Sequence, residues 1–600
     1  MKHPAERITA FSNLLLAEGV DVFIQPMVDE FQSEYTPGYA QRLAFLSGFD
    51  GSAGIGVFWA KAGTSRKPIL FTDGRYLLQA ERQVGKHMQI IDSGETSVTA
   101  WLASQTTPLR VGFNPWLVTQ SEYAAWQSAC RNAPINWVPL SKNPADALWK
   151  SQPAYPSGAI HLHPLRYAGE SYAKKQKHLL NIITQQNADA LLLTAPDSIN
   201  WLLNIRGSDV EFNPLVMGYF LLYRDGRGVF CSFPRTLSAE VQKEWKAARI
   251  TYADIHELWG NRVALAKPHA RVLMDAATAP YAIAQHAKQH QITVIPCEDP
   301  TLLPKATKNA VEVEGIRAAH VRDGHALTSF LFWLQQRAKK KHFPTECEIA
   351  EKLESFRCAS PHYRGPSFAT IAGAGEHGAI IHYRATPVTD RKLAAGELFL
   401  LDSGGQYPDG TTDVTRTVAI GNPSQAMREH FTRVLKGHIA LAQARFPEGT
   451  NGSQLDVLAR QYLWEAGLDY DHGTGHGVGA YLCVHEGPQR ISKRPSKTPL
   501  VPGMILSNEP GYYRAGEYGI RIENLVLVIH AGTTDKNKPL FAFETLTLSP
   551  IDKALIVSEM LSAHEKTWLN HYHARVAKTV EAQGVSAEMQ HWLQQATAPL

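Results

Sequence analysis

Asp402, Asp413, His476, Glu509 and Glu523 are the residues whose types and spacing could do chemistry, four carboxylates and one imidazole in the C-terminal half of a 600-residue chain. Asp402 ends an apolar run, ELFLLDSGG, and Asp413 follows a Pro-Asp-Gly turn in PDGTTDVTRT. His476 is the second histidine of HGTGHGVG, Glu509 lies in LSNEPGYY, and Glu523 lies in YGIRIEN. An oxygen-rich ligand set with one imidazole suits Mn²⁺, Co²⁺, Fe²⁺ or Zn²⁺, and the lack of thiolate argues against a structural zinc site. If the five meet in space, charge balance favours two ions. Like charges about 4 Å apart repel by roughly 4 kcal/mol at an effective dielectric near 20, and two divalent cations cancel four carboxylates where one would not.

A pair of bridged metals holds a water, lowers its pKa from 15.7 toward about 7, and polarises a substrate carbonyl, so a bridging hydroxide is available near neutral pH. Proton movement and substrate grip need further groups. His382 in GAIIHYRAT, His472 at the head of HGTGHG and His485 in CVHEGPQ are candidates, each flanked by small or apolar residues. Singly, each is more often structural; interleaved with the ligand motifs, they favour function. Other chemistries lack a signature. The chain has no phosphate-binding G-x-x-x-x-G-K-[ST], no G-x-S-x-G nucleophile elbow and no H-E-x-x-H. The Gly-rich runs GSAGIG and GAGEHG read as turns that need positive φ.

These motifs must be positioned by ordinary globular architecture. A chain of 600 residues exceeds one core and implies two to four domains. Hydrophobic content of 44%, charged content of 19% and a net charge of +4 give no reason to invoke nucleic acid. Lys339 to Lys341 and the stretch Lys493 to Lys497 read as a solvated helix end and a loop. The six cysteines are scattered with no C-x-x-C pair, as in a reducing compartment. The opening MKHPAERITA has no apolar signal core, and no apolar run approaches the roughly 18 residues needed to cross a bilayer. A cytoplasmic protein with no membrane partner is expected.

The first two regions look like variants of one unit. A helical stretch, ERITAFSNLLLAEG, leads into the strand VDVFIQP, then the apolar, Gly-containing turn RLAFLSGFDGSAG and the strand IGVFWA. KKQKHLLNIITQQN, ADALLLTAP, INWLLNIRGSDVEFNP and MGYFLLY repeat that order. The Pro-, Ser-, Gly- and His-rich segment from Asn143 to Tyr167 joins them, and a second boundary falls near Pro304. Domains over 1–156, 157–303 and 304–600 follow, the last with an extension from about Phe541. In it, Glu314 to Gln335 predicts an amphipathic helix with Ile316, His320, Leu327, Phe330, Leu331 and Leu334 on one stripe, His320 being a packed histidine. ELFLLDSGG and TTDVTRTVAIG predict two strands around the PDG turn. In a tight hairpin Asp402 and Asp413 would not be direct partners; a bulge, a wider loop or neighbouring rungs must bring them to one site. SAHE at Ser562 to Glu565 predicts a capping box for a helix carrying Trp568, Leu569, Tyr572 and Val576, packed on the catalytic domain, with His571 and His573 at the surface.

The C-terminal half resembles the pita-bread metallopeptidases, the family of methionine aminopeptidase, prolidase and aminopeptidase P, with the five ligands in the family order Asp, Asp, His, Glu, Glu. The resemblance is strongest to three-domain aminopeptidase P, an Xaa-Pro aminopeptidase group, and covers nearly the whole chain. FLSGFDGSAG, FTDGRYLLQAE and NIRGSDVEFNP are similar to its two N-terminal domains, the ligand motifs to its catalytic domain, and the tail FETLTLSPID to its C-terminal extension. It implies an α/β and α+β multidomain fold: two related N-terminal α/β domains of creatinase/prolidase N-terminal type, then a pita-bread catalytic domain. It implies that Asp402 chelates one metal, that Asp413 and Glu523 bridge two, and that His476 and Glu509 complete the other. Glu509 would also take the proton from the attacking water. His485 and His382 would bind substrate and support the tetrahedral intermediate, and His472 and Arg521 would line the pocket for proline. Two Mn²⁺ ions, a homodimer and a peptide substrate beginning Xaa-Pro are expected. Prolidase, acting on Xaa-Pro dipeptides, is the enzymatic rival. A non-catalytic pita-bread binding module is disfavoured because all five ligands are present, and so is the metal-free relative creatinase.

Overall fold

A computed structural model describes residues 3–60, 66–259 and 267–600; Met1 and Lys2 of the opening stretch lie outside the described residues, as do 61–65 and 260–266. The chain divides into two compact units, one formed by Met1–His163 with Glu170–Thr301 and the other by Pro164–Gly169 with Leu302–Leu600.

The first unit contains the suspected repeat in full. The helix Pro4–Ala17 leads into the strand Val22–Pro26, and the helix Tyr172–Gln185 into the strand Ala190–Leu193. Each of these strands is the fourth member of a six-stranded sheet. The two sheets have the same strand order, and every corresponding neighbour pair has the same sense. The segments expected as turns differ from expectation in one respect: each folds a short helix, Arg42–Ser47 and Pro196–Leu203. Gly48 and Asn204 end those helices in the left-handed conformation, at φ 84° and 49°. Glycine and asparagine are the residues that take this C-terminal cap at least cost. The apolar residues of RLAFLS and INWLL therefore pack as a helical face and not as a turn.

In the second unit the helix Ala310–Lys339 buries Ile316, His320, Leu327, Phe330, Leu331 and Leu334, as the stripe requires. It starts earlier than the periodicity marks because Asn309 and Glu312 close a capping box. It ends in the exposed lysines 339 to 341. His320 is packed, with Nδ1–H donating to the Ile316 carbonyl at 2.8 Å. A three-stranded antiparallel sheet runs in the order Ile371–Ala374, Glu397–Ser403, Val414–Ile420. A six-stranded antiparallel sheet includes Gly475–Gly477, Ile505–Asn508 and Asn524–Thr533.

The tail is part of the same core. Ser562 and Glu565 form the expected capping box of Ala563–Glu581. Leu569, Tyr572, Val576 and Val580 from that helix pack in one cluster with Leu327, Phe330 and Leu401. His571 is exposed, but His573 is not a surface residue. It is fully buried and its Nε2 accepts the Ile551 N–H at 3.1 Å. Tyr572 and Val576 set the inward stripe of this helix, and His573 lies at its edge, where the chain of 549–551 folds over it. Among the described residues no cysteine forms a disulfide, and no helix is long and apolar enough to cross a membrane.

Candidate metal centre

The hairpin problem is solved by a wide connection. Residues 406–407 and 410–411 form a small hairpin of their own around the PDG turn, which offsets the main ladder. In that ladder Asp402 pairs with Thr415 and Ser403 with Val414. Asp413 lies two residues before Thr415, and side chains two apart on an extended chain share a face. Asp402 and Asp413 thus meet as diagonal neighbours.

The other three candidates come from the six-stranded sheet and its edges. His476 is the centre of Gly475–Gly477, held by its backbone N–H donating to Ser507 Oγ at 2.9 Å. Its Nδ1–H donates to the Gly477 carbonyl, also at 2.9 Å, which leaves Nε2 as the free lone pair. Nε2 lies 3.4 Å from Asp413 Oδ2 and 3.5 Å from Glu509 Oε1. Glu509 follows the strand Ile505–Asn508, and Glu523 immediately precedes Asn524–Thr533. Ligand atoms of Asp413, His476 and Glu523 all lie within 4.8 Å of one another. Glu523 Oε2 accepts from Thr415 Oγ1 at 2.9 Å, and the Glu523 N–H reaches the Thr415 carbonyl at 3.2 Å, which joins the two sheets at the site.

Electrostatics ties all five together. Burial, then the charges of Asp413, Glu509 and Asp402, hold the Glu523 carboxyl far above the usual range. Burial raises Glu509 to about 7, with Asp413 and Asp402 adding to the rise and His476 and Arg521 opposing it. Burial likewise raises Asp402 to about 6, opposed by Arg521 and reinforced by Asp413. Burial disfavours the His476 imidazolium, but Asp413 and Glu509 outweigh it and lift the group to about 9. Acids pushed up together with a histidine pushed up mark a site short of positive charge.

The substrate candidates border this cluster. The His485 ring meets the His476 ring edge-on, centroids 4.4 Å apart. His472 Nε2 and Tyr513 Oη are 2.8 Å apart. Arg521 is buried and fans out from there, with Nη1–H donating to Tyr513 Oη at 2.7 Å, Nε–H to Thr415 Oγ1 at 3.1 Å and Nη2–H to Asp402 Oδ2 at 2.5 Å. Its Nη2 also reaches the Ile381 carbonyl at 3.5 Å, which places the His382 loop alongside. Tyr513, Thr415 and Ser507 escaped the sequence reading. Each stands inside or beside a motif already singled out, but a hydroxyl carries no spacing signal of its own.

Models of known families match along the chain. Creatinase/Prolidase N-terminal domain models match residues 7–146 and 151–312, Metallopeptidase family M24 matches 314–530, and the C-terminal region of peptidase M24 matches 539–600. Aminopeptidase P1 of Lotus japonicus is 35% identical, covering 97% of both chains, and Aminopeptidase P2 of Arabidopsis thaliana is 39% identical, covering 97% of this chain and 86% of its own. The chain belongs to the aminopeptidase P group of metallopeptidase family M24. As a member of that group it has two creatinase-type N-terminal domains and a pita-bread domain. Its fold is that of X-prolyl aminopeptidase from Caenorhabditis elegans, described as a cytosolic enzyme with a di-nuclear active site. That structure is 34% identical and covers all of both chains at a TM-score of 0.94.

The residues of this family member fit a metal pair. Asp402 Oδ1 and Glu523 Oε1 are buried and have no hydrogen-bond partner in the protein, the state of carboxylate oxygens shaped for a cation. Arg521 refines the expected charge balance. With one guanidinium already on Asp402, two divalent ions would do more than neutralise the four carboxylates and would leave room for one further negative charge.

Proposed function

We propose that this chain is a metal-dependent aminopeptidase that releases the N-terminal residue from peptides with proline in second position. The observation that carries the reading is the convergence of the buried Asp402, Asp413 and Glu523 with the half-buried His476 and Glu509, in which Asp402 Oδ1 and Glu523 Oε1 have no hydrogen-bond partner in the protein. Asp402 would hold one divalent ion, Asp413 and Glu523 both, and His476 with Glu509 the second. Manganese is the metal we assign. When bound, the pair activates a water and polarises the scissile carbonyl.

The remaining steps belong to side chains. Glu509 takes the proton of the attacking water at its carboxylate. His485 and His382 hydrogen-bond the substrate and stabilise charge on the tetrahedral intermediate. His472 and Arg521 line the proline side of the pocket, and Tyr513 links them. An Xaa-Pro bond is a tertiary amide without an N–H. A pocket that grips the ring and activates the carbonyl needs no donor from that nitrogen. The free N-terminal amine is bound by the carboxylate cluster, which limits cleavage to the first bond.

Prolidase activity on dipeptides is the rival, and the full-length similarity to aminopeptidases P disfavours it. We also assign domain limits of 1–156, 157–303 and 304–600, a homodimer, and a cytoplasmic location without membrane or nucleic-acid partners. The test compares an Xaa-Pro tripeptide, its N-acetyl form, an Xaa-Pro dipeptide and an Xaa-Ala tripeptide, before and after chelation and Mn²⁺ addition. Only the first should be cut rapidly, and only with metal. Glu509→Ala should lose at least about a hundredfold in kcat. Equal cleavage of the Xaa-Ala peptide, or near-full activity of Glu509→Ala, would refute the reading.

A further inference from the structure

Behind the candidate ligands lies a second buried polar layer. Asn508 immediately precedes Glu509 and Asn524 immediately follows Glu523, and the two asparagines pair across neighbouring strands. His438, from the helix Gln425–Ala442, connects them. Its Nδ1–H donates to the Asn508 carbonyl at 3.1 Å, and its Nε2 accepts from Asn524 Nδ2 at 3.0 Å. Asn508 Nδ2 donates back to the His438 carbonyl at 2.9 Å. The imidazole is fully buried, so both ring nitrogens are committed to fixing two strands.

Arg416 closes the layer from the other sheet. Thr415 points toward Glu523, so by strand alternation Arg416 points to the opposite face. Its Nη1–H donates to the Glu523 carbonyl at 2.7 Å and its Nη2–H to Asn524 Oδ1 at 2.8 Å. The same guanidinium donates to the Pro550 and Ser549 carbonyls at 3.1 and 2.8 Å, and to Tyr572 Oη at 2.8 Å. All the acceptors are neutral oxygens. Tyr572 in turn donates to the Ser549 carbonyl at 2.8 Å. A buried guanidinium held only by neutral oxygens is costly and is kept in place by its hydrogen bonds. Its two Nη2 hydrogens are shared among Asn524 Oδ1, the Ser549 carbonyl and Tyr572 Oη, so the hydroxyl from the C-terminal helix sets how that nitrogen is turned toward Asn524.

We propose that Tyr572, through Arg416 and the Asn524–His438–Asn508 bridge, is a positioning residue for Glu509 and Glu523. The C-terminal region is thereby a structural part of the metal centre and not an appendage to it. The inference rests on the proposed assignment of Glu509 and Glu523 as metal ligands. Residues that orient metal ligands typically change metal affinity about ten- to a hundredfold when altered. Tyr572→Phe removes one hydroxyl and keeps the ring that stacks on Trp568 at 5.4 Å.

The test measures Mn²⁺ binding to the metal-free full chain by calorimetry, with the Mn²⁺ electron paramagnetic resonance spectrum and the tripeptide kinetics beside it. Tyr572→Phe should bind Mn²⁺ about tenfold more weakly, show an altered spectrum, and lose kcat at saturating metal with KM for the peptide unchanged. Wild-type affinity, spectrum and kcat in Tyr572→Phe would overturn the proposal. If that variant does not fold, His438→Leu and His438→Gln carry the same test, and Gln must recover affinity relative to Leu or the proposal falls. Asp413→Ala separates the two levels of argument. If it binds Mn²⁺ like the wild type, the ligand assignment fails and this inference with it. If it loses Mn²⁺ while Tyr572→Phe does not, only the positioning role fails.

Discussion

Asp402 Oδ2 stands 2.5 Å from Arg521 Nη2, while Asp402 Oδ1 is buried with no hydrogen-bond partner. One carboxylate is thus divided between a fixed cation of the protein and an oxygen left for an ion. Arg521 makes this possible because its planar fork reaches Asp402, Thr415 and Tyr513 at once.

A lysine cannot reproduce that fork. Arg521→Lys keeps the charge but loses at least two of the three contacts, so kcat for an Xaa-Pro tripeptide should fall about tenfold or more. Steady-state kinetics with saturating Mn²⁺ checks this. Unchanged kcat would mean that net charge alone is what Arg521 supplies.

Thr415 Oγ1 donates to Glu523 and accepts from Arg521, so it holds two site residues in register. Thr415→Val keeps the shape and removes both bonds. The expected result is about tenfold weaker Mn²⁺ binding by calorimetry, with only a small change in melting temperature. A large loss of stability with normal metal binding would contradict the assigned role.

Gly519 lies where backbones touch: a Cβ there would sit 1.7 Å from the Gly378 carbonyl oxygen. Gly378 is in the turn that leads to His382. Gly519→Ala must therefore push that turn away, and it should reduce both activity and thermal stability. A variant with wild-type kcat and melting temperature would show that the turn yields freely.

Stability should fall in acid through buried histidines. Burial, aided by the charges of Lys553 and Arg416, depresses His573 to about 3, and burial with Arg416 depresses His438 to about 3. An unfolded histidine titrates near 6.5. Between these values the unfolded chain takes up a proton that the native chain refuses. The stabilisation is complete above about 6.5 and is lost as pH falls toward 3, at about 1.4 kcal/mol per pH unit for each group. His573→Gln should flatten the decline of the urea midpoint between pH 6.5 and 4 by about one proton. An unaltered slope would show that His573 does not resist protonation.

The five candidates stand out in the sequence because each sits in a distinctive local run, and the structure brings them together. Long periodic elements such as Ala310–Lys339 were legible for the same local reason. What escaped was set by tertiary context. The diagonal placement of Asp402 and Asp413 depends on a small hairpin inside the connection, which no pattern announces. RLAFLS and INWLL folded as helices because left-handed caps at Gly48 and Asn204 allow it, in runs too short for periodicity to resolve. His573 reads as a surface group from local polarity alone, whereas Ile551, 22 positions upstream, supplies its partner. Arg521 was placed in the pocket without its ion pair to Asp402, which lies 119 positions away.

The ligands are divided between two sheets, Asp402 and Asp413 on one and His476, Glu509 and Glu523 on or beside the other. Neither sheet by itself carries all five residues. The full set of five is assembled only where the two sheets meet along the Thr415–Glu523 seam.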